Sequence, residues 1–295
     1  MLLVKEKMNE ELVRAVQQRN IKELVRLYTL DVPGDTADDN GNNILHLAAK
    51  TNNANIVKGV LLLFERRYHL SKKKNMKGNL PQDESFLPQI VDAIKLFNSN
   101  CSPVKKEDDV VLDFEARINL KNTNFQRFER DHGHRKRSIL LSLDGGGIRG
   151  LVLVQMLMFL EENLKSYIWK RFQWVSGTST GAILALALAK GESPTKTVGE
   201  GRAHAILKAV SKKGACVSSM LTVGFRQLTE ADGQPVDRAQ AWCWSMNVPF
   251  FRFSPQLQQR IEIDEHQDAI LLDMLWTTEV YMRTEIIEVE QVGVL

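Results

Sequence analysis

Two glycine-rich turns, at residues 145–147 and 177–181, restrict what this chain can fold into more than any other feature. Residues 139–143 read Ile-Leu-Leu-Ser-Leu and stop at Asp144-Gly145-Gly146-Gly147-Ile148-Arg149-Gly150. A short apolar run that ends at a glycine turn is how a buried parallel strand reads. Leu151, Val154, Leu157 and Met158 then recur at helical spacing. Residues 172–176 are strand-like again and lead into Gly177-Thr178-Ser179-Thr180-Gly181. Residues 182–189, Ala-Ile-Leu-Ala-Leu-Ala-Leu-Ala, have little β-branching, which favours a buried helix over a strand. Strand, helix, strand, helix implies α/β architecture with a parallel, doubly wound sheet. Ligands of such sheets sit at the carboxyl ends of the strands, where both glycine turns fall.

The chemistry these turns point to is acyl transfer. A serine hydroxyl is a poor nucleophile: it needs a base for its proton and donors for the oxyanion that forms. A Gly-x-Ser-x-Gly elbow puts the serine on a strained strand-to-helix turn, and here Ser179 holds that place. Gly177 and Gly181 leave room for neighbouring backbone, Thr178 and Thr180 flank the serine, and the helix that follows directs its N-terminal dipole at developing negative charge. The earlier turn supplies donors. Gly145, Gly146 and Gly147 offer successive backbone N–H groups at a helix start, and Arg149 adds a positive charge. The rival reading is a dinucleotide site, because Gly145-x-Gly147-x-x-Gly150 also fits that fingerprint. That reading requires an acidic residue about 20 positions on, at the end of the next strand. The next strand ends in Gly-Thr-Ser-Thr-Gly instead.

The rest of the chain is organised around this unit. Residues 8–98 are helical and repetitive: Leu12-Val13-Arg14-Ala15 aligns with Leu45-His46-Leu47-Ala48, and Arg19-Asn20 with Asn52-Asn53. A third start falls at residues 75–81, before a helix at 88–97. Residues 99–137 read as a linker containing one edge-strand candidate at 110–120 and a basic cluster at 132–137. Beyond Pro194, residues 202–213 form a basic amphipathic stretch, 237–244 look helical, 248–253 strand-like with Arg252 inside, and 268–282 helical again. The tail after Arg283 carries no pattern. The net charge of +3 argues against a dedicated nucleic-acid binder. The 3 cysteines, Cys101, Cys216 and Cys243, are widely spaced and far from metal-site patterns, so no metal is expected and reduced thiols of a cytosolic protein are. The longest nearly apolar run, 151–160, is about half of the ~20 residues a membrane span needs, so membrane contact is expected to be peripheral.

Asp-Gly-Gly-Gly-Ile-Arg-Gly followed by Gly-Thr-Ser-Thr-Gly resembles the patatin-like phospholipases. Residues 43–49, Asn-Ile-Leu-His-Leu-Ala-Ala, resemble ankyrin repeats, whose period is about 33 residues. Together they resemble the calcium-independent phospholipase A2 type, as do residues 232–243 and 250–257 near the C-terminus. The resemblance implies an all-α ankyrin-like segment at 8–98, the linker at 99–137, and a patatin-like domain at 138–283. It implies Ser179 as nucleophile of a Ser-Asp dyad without histidine, Gly145, Gly146, Gly147 and Arg149 as the oxyanion site, and no cofactor. It further implies a cytoplasmic enzyme that meets phospholipid at a membrane surface; a homo- or hetero-oligomer formed through the ankyrin-like segment is a further expectation.

One part of the pattern is missing. The family's aspartate lies in an Asp-Gly-Gly or Asp-Gly-Ala motif well after the serine, and no such motif follows Ser179. The chain passes near 191–197 straight to the C-terminal resemblance, as an internal deletion would leave it. Asp144 is expected to fix its own turn by local hydrogen bonds. Asp232 precedes a glycine, but its surroundings match a different part of the family, and nothing marks His204 or His266 as a base. The expectation is a lipid acyl hydrolase by descent with weak or absent activity. The alternative is a catalytically inactive chain that binds a full-length partner. Loss of strands from a parallel sheet is also expected to leave apolar faces and edges uncovered.

Overall fold

The computed structural model describes residues 2–98, 138–191, 234–246, 248–257, 261–262 and 265–294. The linker at 99–137 with its basic cluster, residues 192–197, the stretch 202–213, His204, Asp232, Cys101 and Cys216 lie outside the described residues.

The first part is helical: α1 (Leu2–Gln17), α2 (Ile21–Thr29), α3 (Ile44–Lys50), α4 (Ala54–Val60) and α5 (Pro88–Asn98). After α4 the helix widens into a π turn, Leu61–Glu65, and runs on to Tyr68. The sequence repeat is also a contact repeat. Asn75 Nδ2 donates to Asn42 Oδ1 at 2.8 Å, His46 Nε2 meets Asn79 O at 3.1 Å, and Ser85 Oγ donates to Asn52 Oδ1 at 3.0 Å, each pair 33 residues apart. Equivalent turns are built alike. Arg19 and Asn52 both adopt left-handed φ, 57° and 52°. Asn20 and Asn53, which follow them, cap α2 and α4 by accepting from Glu23 N and Ile56 N, both at 3.1 Å. His46 is a turn-bonding residue: besides Asn79, its Nδ1 accepts from Asn43 N at 3.2 Å. Burial lowers its pKa, which keeps the ring neutral and able to accept.

Asn43 concentrates much of this order. Its Oδ1 accepts from Leu45 N at 2.9 Å and His46 N at 3.1 Å, and its Nδ2 donates to Leu70 O at 3.0 Å, all buried. Asn43→Ala removes a helix cap and a buried hydrogen bond to Leu70 O, which keeps only its bond from Lys73 N at 3.2 Å. We expect it to lower the unfolding free energy by about 2 kcal/mol, read as a lower urea midpoint at unchanged slope.

The second part holds β1 (Leu140–Leu143), α6 (Gly150–Leu164), the short α7 (Ile168–Arg171), β2 (Trp174–Gly177) and α8 (Thr180–Ala189). β1 and β2 pair in parallel, with Leu140 opposite Trp174 and Leu143 opposite Gly177. This is the α/β unit expected, reduced to two strands among the described residues. The strands are not buried on both faces, as the apolar run implied. Leu143 is buried, and Leu141 and Val175 pack against the core, while Leu140 and Trp174 on the opposite face are 62% and 65% exposed. Period-2 alternation gives the strands two faces, and among the described residues only one is covered. α8 forms as expected, yet Leu186 is also exposed.

Three more helices follow: α9 (Gln234–Ser245), α10 (Asp268–Thr284) and α11 (Ile286–Val294). Residues 248–253, expected as a strand, run without regular structure. α10 lies between two hydrophobic clusters. Met274 and Met282 join the cluster of α6 and α8, whereas Trp276 packs on that of the first helices. Trp276 stacks on Phe97 with centroids 5.9 Å apart, and Lys58 Nζ pairs with Asp273 at 3.1 Å. The buried Glu279 receives Arg66 at 2.5 Å, Arg283 at 2.9 Å and Gln155 at 2.6 Å. One carboxylate thus ties α4's continuation, α6 and α10 together. No helix among the described residues is long and apolar enough to cross a membrane.

Candidate active site

The two glycine turns meet at the carboxyl ends of β1 and β2. Thr178 N donates to Leu143 O at 3.0 Å, which holds the second turn against the end of β1. Glycines make this approach feasible. A Cβ on Gly181 would lie 2.3 Å from Leu143 O and 2.4 Å from Asp144 O. A Cβ on Gly177 would lie 2.4 Å from Gly181 C and O. A Cβ on Gly145 would lie 2.6 Å from Ser179 Cβ and 2.8 Å from Thr178 O, so the first loop rests directly on the serine.

Ser179 has φ 52° and ψ −122°, a conformation that costs a non-glycine residue of order 1–3 kcal/mol. The turn is fixed around it by Gly181 N to Thr178 O at 2.9 Å and Ala182 N to Ser179 O at 3.1 Å. The strain leaves Ser179 exposed at the N-terminus of α8 rather than inside it. Thr178 is exposed beside it. Thr180 points inward, 1% exposed, and its hydroxyl has no hydrogen-bond partner.

The first loop is bent by its own glycines. Gly146 and Gly147 have φ of 152° and 58°, both in territory that favours glycine. Gly147–Arg149 form a 3-10 turn before α6. Arg149 folds back so that its Nε reaches Gly146 O at 3.4 Å, holding its guanidinium beside the loop. Gly145, Gly146, Gly147, Arg149, Gly177, Thr178, Ser179, Thr180 and Gly181 are therefore brought to one place.

Asp144 does not fix its own turn. Its carboxylate pairs with Arg252 Nη2 at 2.6 Å, across 108 residues of sequence. Local hydrogen bonding was the expectation, but a half-exposed carboxylate with a guanidinium in reach gains more from the charged partner. The signal for it was Arg252 standing inside an apolar run. Among the described residues, no side chain hydrogen-bonds Ser179 Oγ. His266 lies in the segment leading into α10, its backbone N–H donating to Glu265. No group of three metal-binding side chains occurs among the described residues.

Residues 141–205 match the family described as patatin-like phospholipase. The chain is 50% identical over 54 residues to a rat 85/88 kDa calcium-independent phospholipase A2, covering 18% of this chain and 7% of that one. It is 49% identical over 61 residues to a Caenorhabditis elegans intracellular phospholipase A2, covering 21% and 6%. It is 47% identical over 49 residues to human calcium-independent phospholipase A2-gamma, covering 17% and 6%. The matched stretch is thus a small fraction of each relative's length. Residues 141–205 contain most of β1, all of β2, both glycine turns and the strained serine. Over that stretch the chain is similar to the patatin-like phospholipases, calcium-independent phospholipases A2 among them.

Proposed function

We propose that residues 138–191 are the nucleophile half of a lipid acyl hydrolase. Ser179 Oγ attacks the ester carbonyl carbon of a glycerophospholipid. The carbonyl oxygen becomes an oxyanion facing the N–H groups of Gly145, Gly146 and Gly147, with Arg149 adding positive charge. The Ser179 proton passes to solvent; collapse of the intermediate expels the lysophospholipid alkoxide, which takes a proton back from solvent, and water then hydrolyses acyl-Ser179 to the fatty acid and the free serine hydroxyl. No step needs calcium. The observation that carries this reading is the backbone of Ser179, φ 52° and ψ −122°, in direct contact with the glycine loop. Such strain persists only where surrounding structure enforces it.

The same reading makes the chain a poor catalyst. The proton on Ser179 Oγ must leave during attack, and a positioned base contributes roughly 10²–10⁴-fold to such a step. Asp144 is the acid beside the loop, and its charge is already directed at Arg252. Calcium-free fatty-acid release from phosphatidylcholine vesicles is therefore expected to be slow, and lost in Ser179→Ala. Release that survives Ser179→Ala contradicts the nucleophile assignment. The setting is a cytoplasmic chain acting on a membrane surface, with residues 8–98 as an ankyrin-like segment docked on the hydrolase part.

A second reading is favoured by one observation. Leu140 and Trp174, paired across the sheet, present an exposed apolar pair beside Ser142 and Ser176 on a face that is open among the described residues. Such faces mark association sites, so the chain would bind a full-length relative rather than turn over lipid. Co-purification with that relative and no Ser179-dependent release would mark this reading.

A further inference from the structure

Residues 72–78 form a finger whose base belongs to the helical repeat through Asn75, while its outward side chains serve neither the repeat nor the hydrolase reading. It reads Lys72-Lys73-Lys74-Asn75-Met76-Lys77-Gly78, and all four lysines are exposed. At its tip Met76 is 79% exposed. The finger is held from below by Asn75, which is buried. Asn75 Nδ2 donates to Asn42 Oδ1 and Glu84 Oε1, both at 2.8 Å. Its Oδ1 accepts from Lys77 N and Asn79 N, both at 3.0 Å. Met76 N donates to Asn40 O at 3.0 Å. The turn is thus a fixed platform that points its side chains outward.

The surrounding acids make their own contacts and form no ion pair with these lysines among the described residues. Asp38 is occupied by Asn40 N at 2.9 Å and by Asn42 N at 2.8 Å. Asp83 accepts from Leu80 N at 2.8 Å, and Glu84 pairs with Lys50 at 3.6 Å. Asp39 is the exposed acid of the neighbouring turn. No ion pair engages Lys72, Lys73, Lys74 or Lys77 among the described residues. A solvated charge run has no use for an apolar residue at its tip. Several lysines around one exposed apolar side chain are the chemistry of an anionic lipid surface: the charges attract the headgroups and the apolar tip enters the acyl boundary.

We propose that the finger at 72–78 docks this chain on anionic lipid bilayers. The docking is independent of Ser179 chemistry, so it stands or falls separately from the hydrolase reading. Each lysine within a Debye length of such a surface raises binding about fivefold, so the four together raise it by roughly several hundredfold. The test uses the full chain carrying Ser179→Ala, sedimented with phosphatidylcholine vesicles that contain or lack phosphatidylserine. Binding is expected only with phosphatidylserine, and is expected to weaken as salt rises. Replacing Lys72, Lys73, Lys74 and Lys77 by Gln is expected to lower binding by roughly several hundredfold while the circular dichroism spectrum is unchanged. Met76→Ser is expected to weaken binding a few-fold without altering its salt dependence. Equal binding of native and four-lysine variant to phosphatidylserine vesicles overturns the proposal. So does capture of an acidic peptide or single-stranded oligonucleotide by the finger without vesicle binding.

Discussion

Glu279→Ala is expected to lower the unfolding free energy by about 3–5 kcal/mol, because it leaves two guanidiniums facing an empty, buried site. Glu279 is fully buried, and the ion pairs from Arg66 and Arg283 both end on it. Arg66 comes from the helical part and Arg283 from α10, while Gln155 of α6 donates to the same carboxylate. Arg66 also reaches Glu162 at 2.9 Å, so its charge is not wholly orphaned, and Arg283 stacks over Phe97 at 3.9 Å. The substitution therefore loosens the seam between the two parts as well as the core around it. A urea titration checks this through the midpoint. A loss of the helical part's cooperativity with the rest would appear as two transitions.

The same carboxylate sets an acid limit. Burial alone raises the pKa of Glu279, but Arg66, Arg283 and the hydrogen bonds from Gln155 and Arg66 outweigh it, and the net pKa falls below the ordinary 4.5. A lowered folded-state pKa adds stability that is present above the unfolded value and is lost as pH falls through the folded one. The native chain should keep this contribution at neutral pH and lose it progressively below about pH 4.5. Glu279→Gln removes that part of the pH dependence, so the difference in midpoint between native chain and variant should shrink on acidification. A constant difference from pH 7 to strong acid would show that Glu279 is not the group responsible.

Gly181→Ala is expected to cost about 3 kcal/mol and to dismantle the serine turn. The added Cβ would stand 2.3 Å from Leu143 O and 2.4 Å from Asp144 O. Both are backbone atoms at the end of β1, so no flexible side chain can yield. Relief requires the serine turn to move away from the strand, which would break Thr178 N to Leu143 O and withdraw Ser179 from the glycine loop. Gly59→Ala is the matched control. There the added Cβ meets Leu24 Cδ2 at 3.2 Å, the end of a flexible side chain, and the gain in helix propensity of roughly 0.5–1 kcal/mol offsets the crowding. Thermal melts should separate the two by several degrees. Equal melting temperatures would mean that the close approach of the two turns is not a constraint.

The elements around Ser179 were readable because each rests on a local pattern. Short apolar runs gave β1 and β2, the run of Ala and Leu gave α8, and paired glycines gave two turns that only glycine can build. The repeat in residues 8–98 was readable from an offset, and the hydrogen bonds between residues 33 apart reflect it. What escaped is non-local. Thr278 and Glu279 look like the wet face of α10, yet both are fully buried, because that helix has a core on either side. The Asp144–Arg252 pair joins segments with no sequence relation. The tail after Arg283 carries no readable pattern, yet it forms α11, whose Val289 and Val292 pack into the core of α6 and α8. The open faces of β1 and β2 could not be read from the strands themselves, because an apolar run says how a strand expects to be covered, not whether it is.

The central claim is that Ser179 is built as a nucleophile and lacks its base. The most direct measurement is the rate at which a fluorophosphonate labels the purified chain as a function of pH, with Ser179→Ala as control. A serine without a base must lose its proton to hydroxide. Labelling is predicted to be slow at neutral pH, absent in Ser179→Ala, and to rise about tenfold per pH unit across the accessible range without a plateau. Fast labelling at neutral pH that depends on Ser179 and levels off above a defined pKa would contradict the account, because it would reveal a base in contact with Ser179 Oγ.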